Sequence, residues 1–281
     1  MARFYYEDSE QPWRPDGILQ EYIRDRPQRH RDTEQVERAL DLGMGYGRNS
    51  LWLAEQGYKV EGWERDRRYV AEAKREWRRR VCNVQPSGFA QGRRAAGLGK
   101  GKTKLETRNS KLERSTWHSG SLHIRRGDFT RGGWRGPYDV IVISQALHQV
   151  KRSEALRVLR KAATRLRAPR YGGQAGGRLF LLVKLTSDRH FQRVRRDPAW
   201  KAVRGERNTY LRPAARKRGH YHAGRPRTPQ MYLSALEPGE VRQALKGLRT
   251  VHWRRMVLRS DWEEEQPVTH TVAEVVAERR K

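Results

Sequence analysis

Cysteine and long apolar runs are the scarcest features of this sequence. The chain of 281 residues has one cysteine, Cys82, which excludes an intrachain disulfide and any zinc cluster built from several cysteines. No apolar run is long enough to cross a bilayer, and no signal-peptide-like segment follows Met1. We therefore expect a cytoplasmic protein without a membrane partner.

Acidic residues are also few for a chain this rich in charge. There are 32 Asp and Glu against 61 Lys and Arg, so the formal net charge is +29. A field of that sign concentrates polyanions such as RNA, DNA or anionic small molecules. The alternative is a solvated basic surface that has no specific partner. Nine Trp and eleven Tyr offset the low apolar content of 36% and argue for a folded core.

Strand and helix patterns alternate from residue 39 onwards. A strand over 39–43, a helix over 49–56 and a strand over 58–63 form a βαβ unit, which implies parallel pairing. The later pattern predicts helices over 153–166 and 237–246, and strands over 122–125, 138–144, 178–185, 250–258 and 268–277. The sequence thus predicts an α/β, doubly wound, mostly parallel seven-stranded sheet that ends in an antiparallel hairpin.

Two basic segments, 83–119 and 188–227, interrupt this alternation, and we interpret them as insertions. They divide a domain of 36–281, which follows an irregular or helical lead-in of 1–35. The aromatic residues of that lead-in either cap a site or join the core. The insertions carry many Lys and Arg but no base-reading module, so we expect non-specific nucleic-acid binding from them.

Glycines alternate where the first strand ends and the next helix begins. Asp41 opens the run Asp-Leu-Gly-Met-Gly-Tyr-Gly, whose glycines are Gly43, Gly45 and Gly47. Such glycines allow a sharp turn and the close approach of a cofactor, although a tight turn without a ligand is the alternative. Arg48 stands where a dinucleotide-binding pattern has its third glycine. The motif therefore favours a nucleoside without a pyrophosphate over NAD.

Two acidic residues follow later strands. Glu64 stands just past the second strand, where a carboxylate can accept hydrogen bonds from both ribose hydroxyls. Asp128 follows the third strand, where it can accept from an adenine amino group while Phe129 offers an apolar face. Each acid alone could be a solvated loop residue, but with the glycines they favour a nucleoside cofactor. Asp41 lies beneath the glycine turn, so we expect it to orient that turn or a cofactor ammonium.

The stretch 39–63 resembles motif I of class I S-adenosylmethionine-dependent methyltransferases. Its Asp-Leu-Gly-Met-Gly-Tyr-Gly-Arg-Asn-Ser run is most similar to the tellurite-resistance branch, and weaker similarity extends to 138–144 and 268–280. The resemblance implies a Rossmann-like fold and S-adenosylmethionine as cofactor. It also implies that the three glycines surround the methionine part, with Glu64 on the ribose and Asp128 on the adenine. Methyl transfer from a sulfonium requires no metal.

Two histidines are candidates for catalysis on the acceptor side. By the resemblance, His270 matches a histidine near the acceptor. His148 follows the fourth strand, beyond the carboxyl ends where ligands bind, and could deprotonate an acceptor or simply pack on the following helix. Ser144, at the end of that strand, is a further cofactor-binding candidate.

The sequence departs from the family pattern in ways that affect the acceptor. Met44 replaces the usual cysteine, Thr271 follows His270 where arginine is common, and the two insertions are additional. The Asn-Pro-Pro-Tyr tetrapeptide of exocyclic-amine methyltransferases is absent. The spacing in His220-Tyr221-His222 could bind a metal but lacks a nearby carboxylate, so we assign no metal site.

We therefore predict methyl transfer to a small-molecule acceptor. One alternative is an RNA or, with less support, a DNA methyltransferase whose basic insertions grip phosphates. The other is a nucleic-acid-binding protein that has lost catalysis, although the intact glycines and acidic residues count against it.

Overall fold

The computed structural model describes residues 13–24, 36–83, 120–169, 176–212, 231–260 and 268–280. The elements of the first half are α1 (Gly17–Arg24), β1 (Arg38–Leu42), α2 (Arg48–Glu55), β2 (Lys59–Glu64), α3 (Arg67–Asn83), β3 (Ser121–Arg126) and β4 (Val140–Ser144). Those of the second half are α4 (Arg152–Arg165), β5 (Arg178–Lys184), α5 (Arg189–Val194), β6 (Lys201–Ala202), β7 (Thr209–Arg212), β8 (Met231–Ser234), α6 (Pro238–Ala244), β9 (Leu248–Ser260) and β10 (Val268–Arg279).

Seven strands form the main sheet, in the order β3-β2-β1-β4-β5-β10-β9. The first five are parallel, whereas β10 runs antiparallel to both β5 and β9. The predicted α/β fold with a terminal antiparallel hairpin is confirmed. Because the parallel strands share one direction, their carboxyl ends lie along one edge, where doubly wound folds bind ligands.

The central strands have apolar side chains on both faces, as expected for strands covered by helices on each side. Alternate residues of β4 and β5 divide between two clusters. Ile141, Ile143 and Leu181 pack on one face, and Val142 and Phe180 pack on the other. The second face is covered in part by α1, whose buried side chains are Ile18, Leu19 and Ile23. The described part of the lead-in is therefore attached to the sheet.

The described part of the second basic segment, 188–212, is folded. It contributes α5, β6 and β7, and the latter two join β8 in a small antiparallel sheet. A cluster of its own holds this unit together, formed by Phe191, Val194, Leu233 and Ala235. The rest of that segment, 213–227, lies outside the described residues. Of the first basic segment only residue 83 is described.

Candidate active site

The glycine turn joins β1 to α2 at the carboxyl edge of the sheet. Gly43, Gly45 and Gly47 have φ values of 71°, 56° and 88°. A Cβ on Gly43 would lie 2.4 Å from the Cβ of Ala146, so the absent side chain lets the segment after β4 approach the turn. A Cβ on Gly45 would meet nothing within 4 Å. The open space beside Gly45 fits a cofactor that approaches the backbone.

Glu64 is the last residue of β2, not the residue after it, and its carboxylate braces the glycine turn. One oxygen accepts a hydrogen bond from the backbone N–H of Gly45 at 3.0 Å, and the other accepts from that of Asp66 at 2.8 Å. A carboxylate has about four lone-pair positions, so two backbone bonds leave capacity for ribose hydroxyls. The predicted ribose role of Glu64 stays a prediction that this geometry permits.

Asp41 lies buried at the base of the turn. Its carboxylate accepts a hydrogen bond from Ser50 Oγ at 2.7 Å, in the first turn of α2. Burial raises the pKa of Asp41 to about 7, although the Ser50 hydrogen bond opposes that shift. The position below the turn agrees with an orienting role for Asp41.

Asp128 and Phe129 follow β3 and face different surroundings. The Asp128 carboxylate accepts from the backbone N–H and hydroxyl of Thr130 at 2.9 and 2.7 Å, and so caps a short 3₁₀ turn. Its side chain is still 43% exposed, which leaves it accessible to an adenine amino group. Phe129 is buried beside the turn, where a ring carbon would lie 3.4 Å from a Cβ on Gly43. The structure thus brings the predicted apolar face to the glycine turn.

Ser144 ends β4 and carries an unusual hydroxyl. Its Oγ is buried and has no hydrogen-bond partner among the described residues. It lines a small cavity together with Asp16, Leu19, Leu182 and Glu274. A buried polar atom left unpaired costs about 1–3 kcal/mol, so a polar ligand atom in this cavity would be stabilising. The unpaired hydroxyl and the space beside Gly45 both fit the predicted cofactor.

Sequence reasoning missed the contact that ties α1 to the glycine motif. Asp16 accepts hydrogen bonds from Arg48 at 2.7 Å and from the side-chain amide of Asn49 at 2.8 Å. The backbone N–H of Asp16 donates in return to Asn49 at 2.9 Å. The available signal was an acid just before an amphipathic helix, within a lead-in that has few apolar residues. This pairing fixes the helix over the same end of the sheet as the cofactor turn.

The two predicted catalytic histidines lie in one cluster with Lys184, Asp188 and His190. Lys184 Nζ is 3.0 Å from Nδ1 of His270, and the His190 and His270 rings have centroids 5.3 Å apart. Burial and the charge of Lys184 hold the pKa of His148 well below its ordinary value. His148 is therefore neutral at neutral pH and able to accept a proton. We call these five residues the histidine cluster.

Asp188 is the buried carboxylate of the histidine cluster. It is fully buried and accepts hydrogen bonds from the backbone N–H of Phe191, at 2.7 Å, and of Thr271. Burial acts to raise the pKa of Asp188, but the Lys184 charge and the hydrogen bonds from the two backbone N–H groups lower it, and the net shift of that pKa is downward. Sequence reasoning missed Lys184 and Asp188, because a lysine that ends an apolar strand and an acid that caps a helix carry no distinctive spacing.

Within the part of the chain that the structure describes, no group of three or more His, Cys, Asp or Glu side chains could hold a metal ion. His220, Tyr221 and His222 lie outside that part. Nor does any described helix combine the length and apolar character that a membrane-spanning helix needs.

Comparison with known proteins agrees with the fold. A family model described as a methyltransferase domain matches residues 16–225. No curated protein sequence matches the chain significantly. Among solved structures, an S-adenosylmethionine-dependent methyltransferase from Methanosarcina mazei is 15% identical, with a TM-score of 0.56 over 95% of this chain and 98% of that one.

Two further solved structures share the fold. TehB from Haemophilus influenzae is 11% identical with a TM-score of 0.54, and the match covers 94% of this chain but 62% of TehB. Magnesium protoporphyrin IX methyltransferase from Synechocystis PCC 6803, solved with bound S-adenosylhomocysteine, is 13% identical with a TM-score of 0.50. That match covers 94% of this chain and 80% of the other.

Proposed function

The chain belongs to the methyltransferase-domain family, whose enzymes use S-adenosylmethionine, and we propose that it methylates a small-molecule acceptor bound beside the histidine cluster. One observation carries the proposal. Ala146 contacts the glycine turn at Gly43, and His148 follows only two residues later in the same segment. A short stretch of chain therefore connects the candidate cofactor pocket to a neutral histidine.

Several residues are proposed to hold the cofactor. The glycine turn supplies space, Glu64 accepts from the ribose, and Asp128 and Phe129 receive the adenine. Ser144 donates its unpaired hydroxyl to a polar cofactor atom. When bound, S-adenosylmethionine supplies a methyl group on a sulfonium, from which sulfur departs with the bonding electron pair as the acceptor atom forms the new bond.

The contribution of the chain beyond binding is alignment and proton acceptance. His148 is half-buried and neutral, so it can take the proton that the acceptor atom loses. His270 lies on β10 and belongs to the same cluster through its contact with Lys184. Both histidines are therefore proposed as catalytic residues. The Synechocystis relative, which methylates a porphyrin, supports an acceptor of small-molecule class.

A second candidate function, methylation of RNA, has one specific observation in its favour. The described part of the second basic segment exposes six arginines between residues 189 and 207: Arg189, Arg193, Arg195, Arg196, Arg204 and Arg207. Side chains of that kind neutralise phosphates without reading sequence, so they fit a nucleic acid partner. A small acceptor does not require them.

Release of S-adenosylhomocysteine separates the two candidates. We would compare turnover with chalcogen oxyanions, with small thiols and with total RNA, using wild-type protein and the variant Glu64→Ala as a control for cofactor-independent signal. Turnover with a small molecule, abolished in the variant, is the expected result. Turnover with RNA alone would replace the small-molecule proposal with the second candidate.

A further inference from the structure

The contacts of one ring nitrogen decide how His270 is protonated. Its Nδ1 lies 3.0 Å from Lys184 Nζ and 3.7 Å from Asp188 Oδ2. Hydrogen bonds between nitrogen and oxygen or nitrogen end near 3.2 Å, so the lysine is the partner of Nδ1 and the carboxylate is not. The protonation state of Lys184 therefore determines which proton His270 carries.

Lys184 lies beside a buried carboxylate. Its Nζ is 4.0 Å from the carboxylate of Asp188, and the two side chains are 7% and 0% exposed. Both Asp188 oxygens accept backbone N–H groups, an arrangement that suits an ionised carboxylate. A buried anion needs a cation beside it, and Lys184 is the cation at hand.

A charged lysine donates hydrogen bonds and accepts none. Nδ1 of His270 must therefore accept, which leaves that nitrogen without a hydrogen. A protonated His270 would direct an N–H donor and a positive charge towards the Lys184 ammonium. The neighbouring His148 and His190 carry no negative charge that could offset this repulsion. Neutral His270 then carries its hydrogen on the other ring nitrogen, Nε2.

We propose that Lys184 is a positioning residue that fixes His270 as the Nε2-protonated neutral tautomer, so that His270 donates a hydrogen bond to the acceptor and His148 takes its proton. The proposal rests on the proposed function in placing the acceptor beside the histidine cluster. It divides the two catalytic histidines into a donor and a base. It also specifies the acceptor further. The acceptor has a nucleophilic atom that loses a proton to His148 and, next to it, an atom with a lone pair that accepts a hydrogen bond from the Nε2–H of His270.

The tautomer can be observed directly by nuclear magnetic resonance of the full chain labelled with ¹⁵N-histidine. Two-bond correlations between ring carbon-bound hydrogens and ring nitrogens have different patterns for the two neutral tautomers and the charged ring. The variant His270→Gln assigns the His270 signals by their loss. The wild-type protein should show the Nε2–H pattern.

Two lysine variants test the cause. Lys184→Met removes the donor and leaves Asp188 as the nearest polar partner of Nδ1, so the Nε2–H pattern should change to an Nδ1-protonated or charged one. Lys59→Met, at the exposed start of β2 on the distant side of the sheet, should leave it unchanged. An Nδ1–H or charged His270 in wild-type protein overturns the proposal even where Lys184→Met fails to fold. An Nε2–H pattern that persists in folded Lys184→Met also overturns it.

A parallel calorimetric titration with S-adenosylmethionine keeps this result apart from the proposed function. Cofactor binding together with an Nδ1–H ring would leave the methyltransferase function standing and remove the role of Lys184. The Nε2–H pattern in a protein that turns over none of the tested acceptor classes would support the role of Lys184 in fixing the tautomer and would count against the proposed function.

Discussion

Gly45→Ala provides a sharp test of the cofactor pocket, because the chain contains a matched control. Gly45 and Gly205 both have positive φ, 56° and 77°, and a Cβ at either position would meet nothing within 4 Å. An L-residue in this left-handed region costs about 1–2 kcal/mol. Alanine also loses less chain entropy on folding, which returns about 0.4–1 kcal/mol. Gly45→Ala and Gly205→Ala should therefore lower the free energy of unfolding by a similar, small amount.

Only one of the two variants should affect the cofactor. The new methyl group at residue 45 occupies the open space that the cofactor is proposed to fill, whereas residue 205 lies in the turn between β6 and β7. Overpacking of this kind costs about 1–3 kcal/mol, which is a roughly 5- to 150-fold increase in the Kd for S-adenosylmethionine. Urea unfolding and calorimetric titration measure the two quantities. Equal cofactor affinity in both variants and in wild type would refute the placement of the pocket.

Three further predictions concern ionisable groups of the site. Glu64→Gln should weaken S-adenosylmethionine binding by about 1.5–3 kcal/mol, which is the value of a hydrogen bond to a charged group. The control variant Glu55→Gln, on the exposed side of α2, should not weaken it, and calorimetry that finds the same Kd in both variants would contradict this. Because the pKa of Asp41 is raised to about 7 from 3.8, its contribution to stability is present at acid pH and is lost as the pH rises towards 7. That decline of the unfolding free energy is on the order of 4 kcal/mol, and Asp41→Asn should flatten it. An unchanged pH profile in urea unfolding would count against the statement that burial raises the pKa of Asp41. For an acceptor that turns over, His148→Gln should lower kcat and abolish the rise of the rate as the pH passes the depressed pKa of His148. His270→Gln should chiefly raise KM and keep that rise, and the reverse pattern would exchange the roles of the two histidines.

Most of the fold could be predicted from the sequence because its central strands, β1, β4 and β5, are apolar on both faces. The predicted strands at 39–43, 138–144 and 178–185 overlap β1, β4 and β5, and no end differs by more than two residues. Apolar runs of this length between helical patterns leave few alternative assignments. The small sheet of β6, β7 and β8 was not predicted, because its strands are short and two of them, β6 and β7, lie within an arginine-rich segment.

The cofactor side of the site was easier to predict than the acceptor side for a physical reason. Glycines at a strand-to-helix turn and acids at the following strand ends depend on local backbone geometry, which a short stretch of sequence specifies. The histidine cluster is assembled from β5, the start of α5, the segment after β4 and β10. Lys184 and His270 are 86 residues apart, so no spacing relates them. Only the antiparallel pairing of β5 with β10 brings them together.

Binding of S-adenosylmethionine to the wild-type chain tests the central claim most directly. A calorimetric titration of folded, monodisperse protein should show saturable binding at one site, and S-adenosylhomocysteine should compete for it. The same titration with Gly45→Ala should show the weaker binding worked out above. Absence of any S-adenosylmethionine binding to the folded wild-type protein would contradict the account.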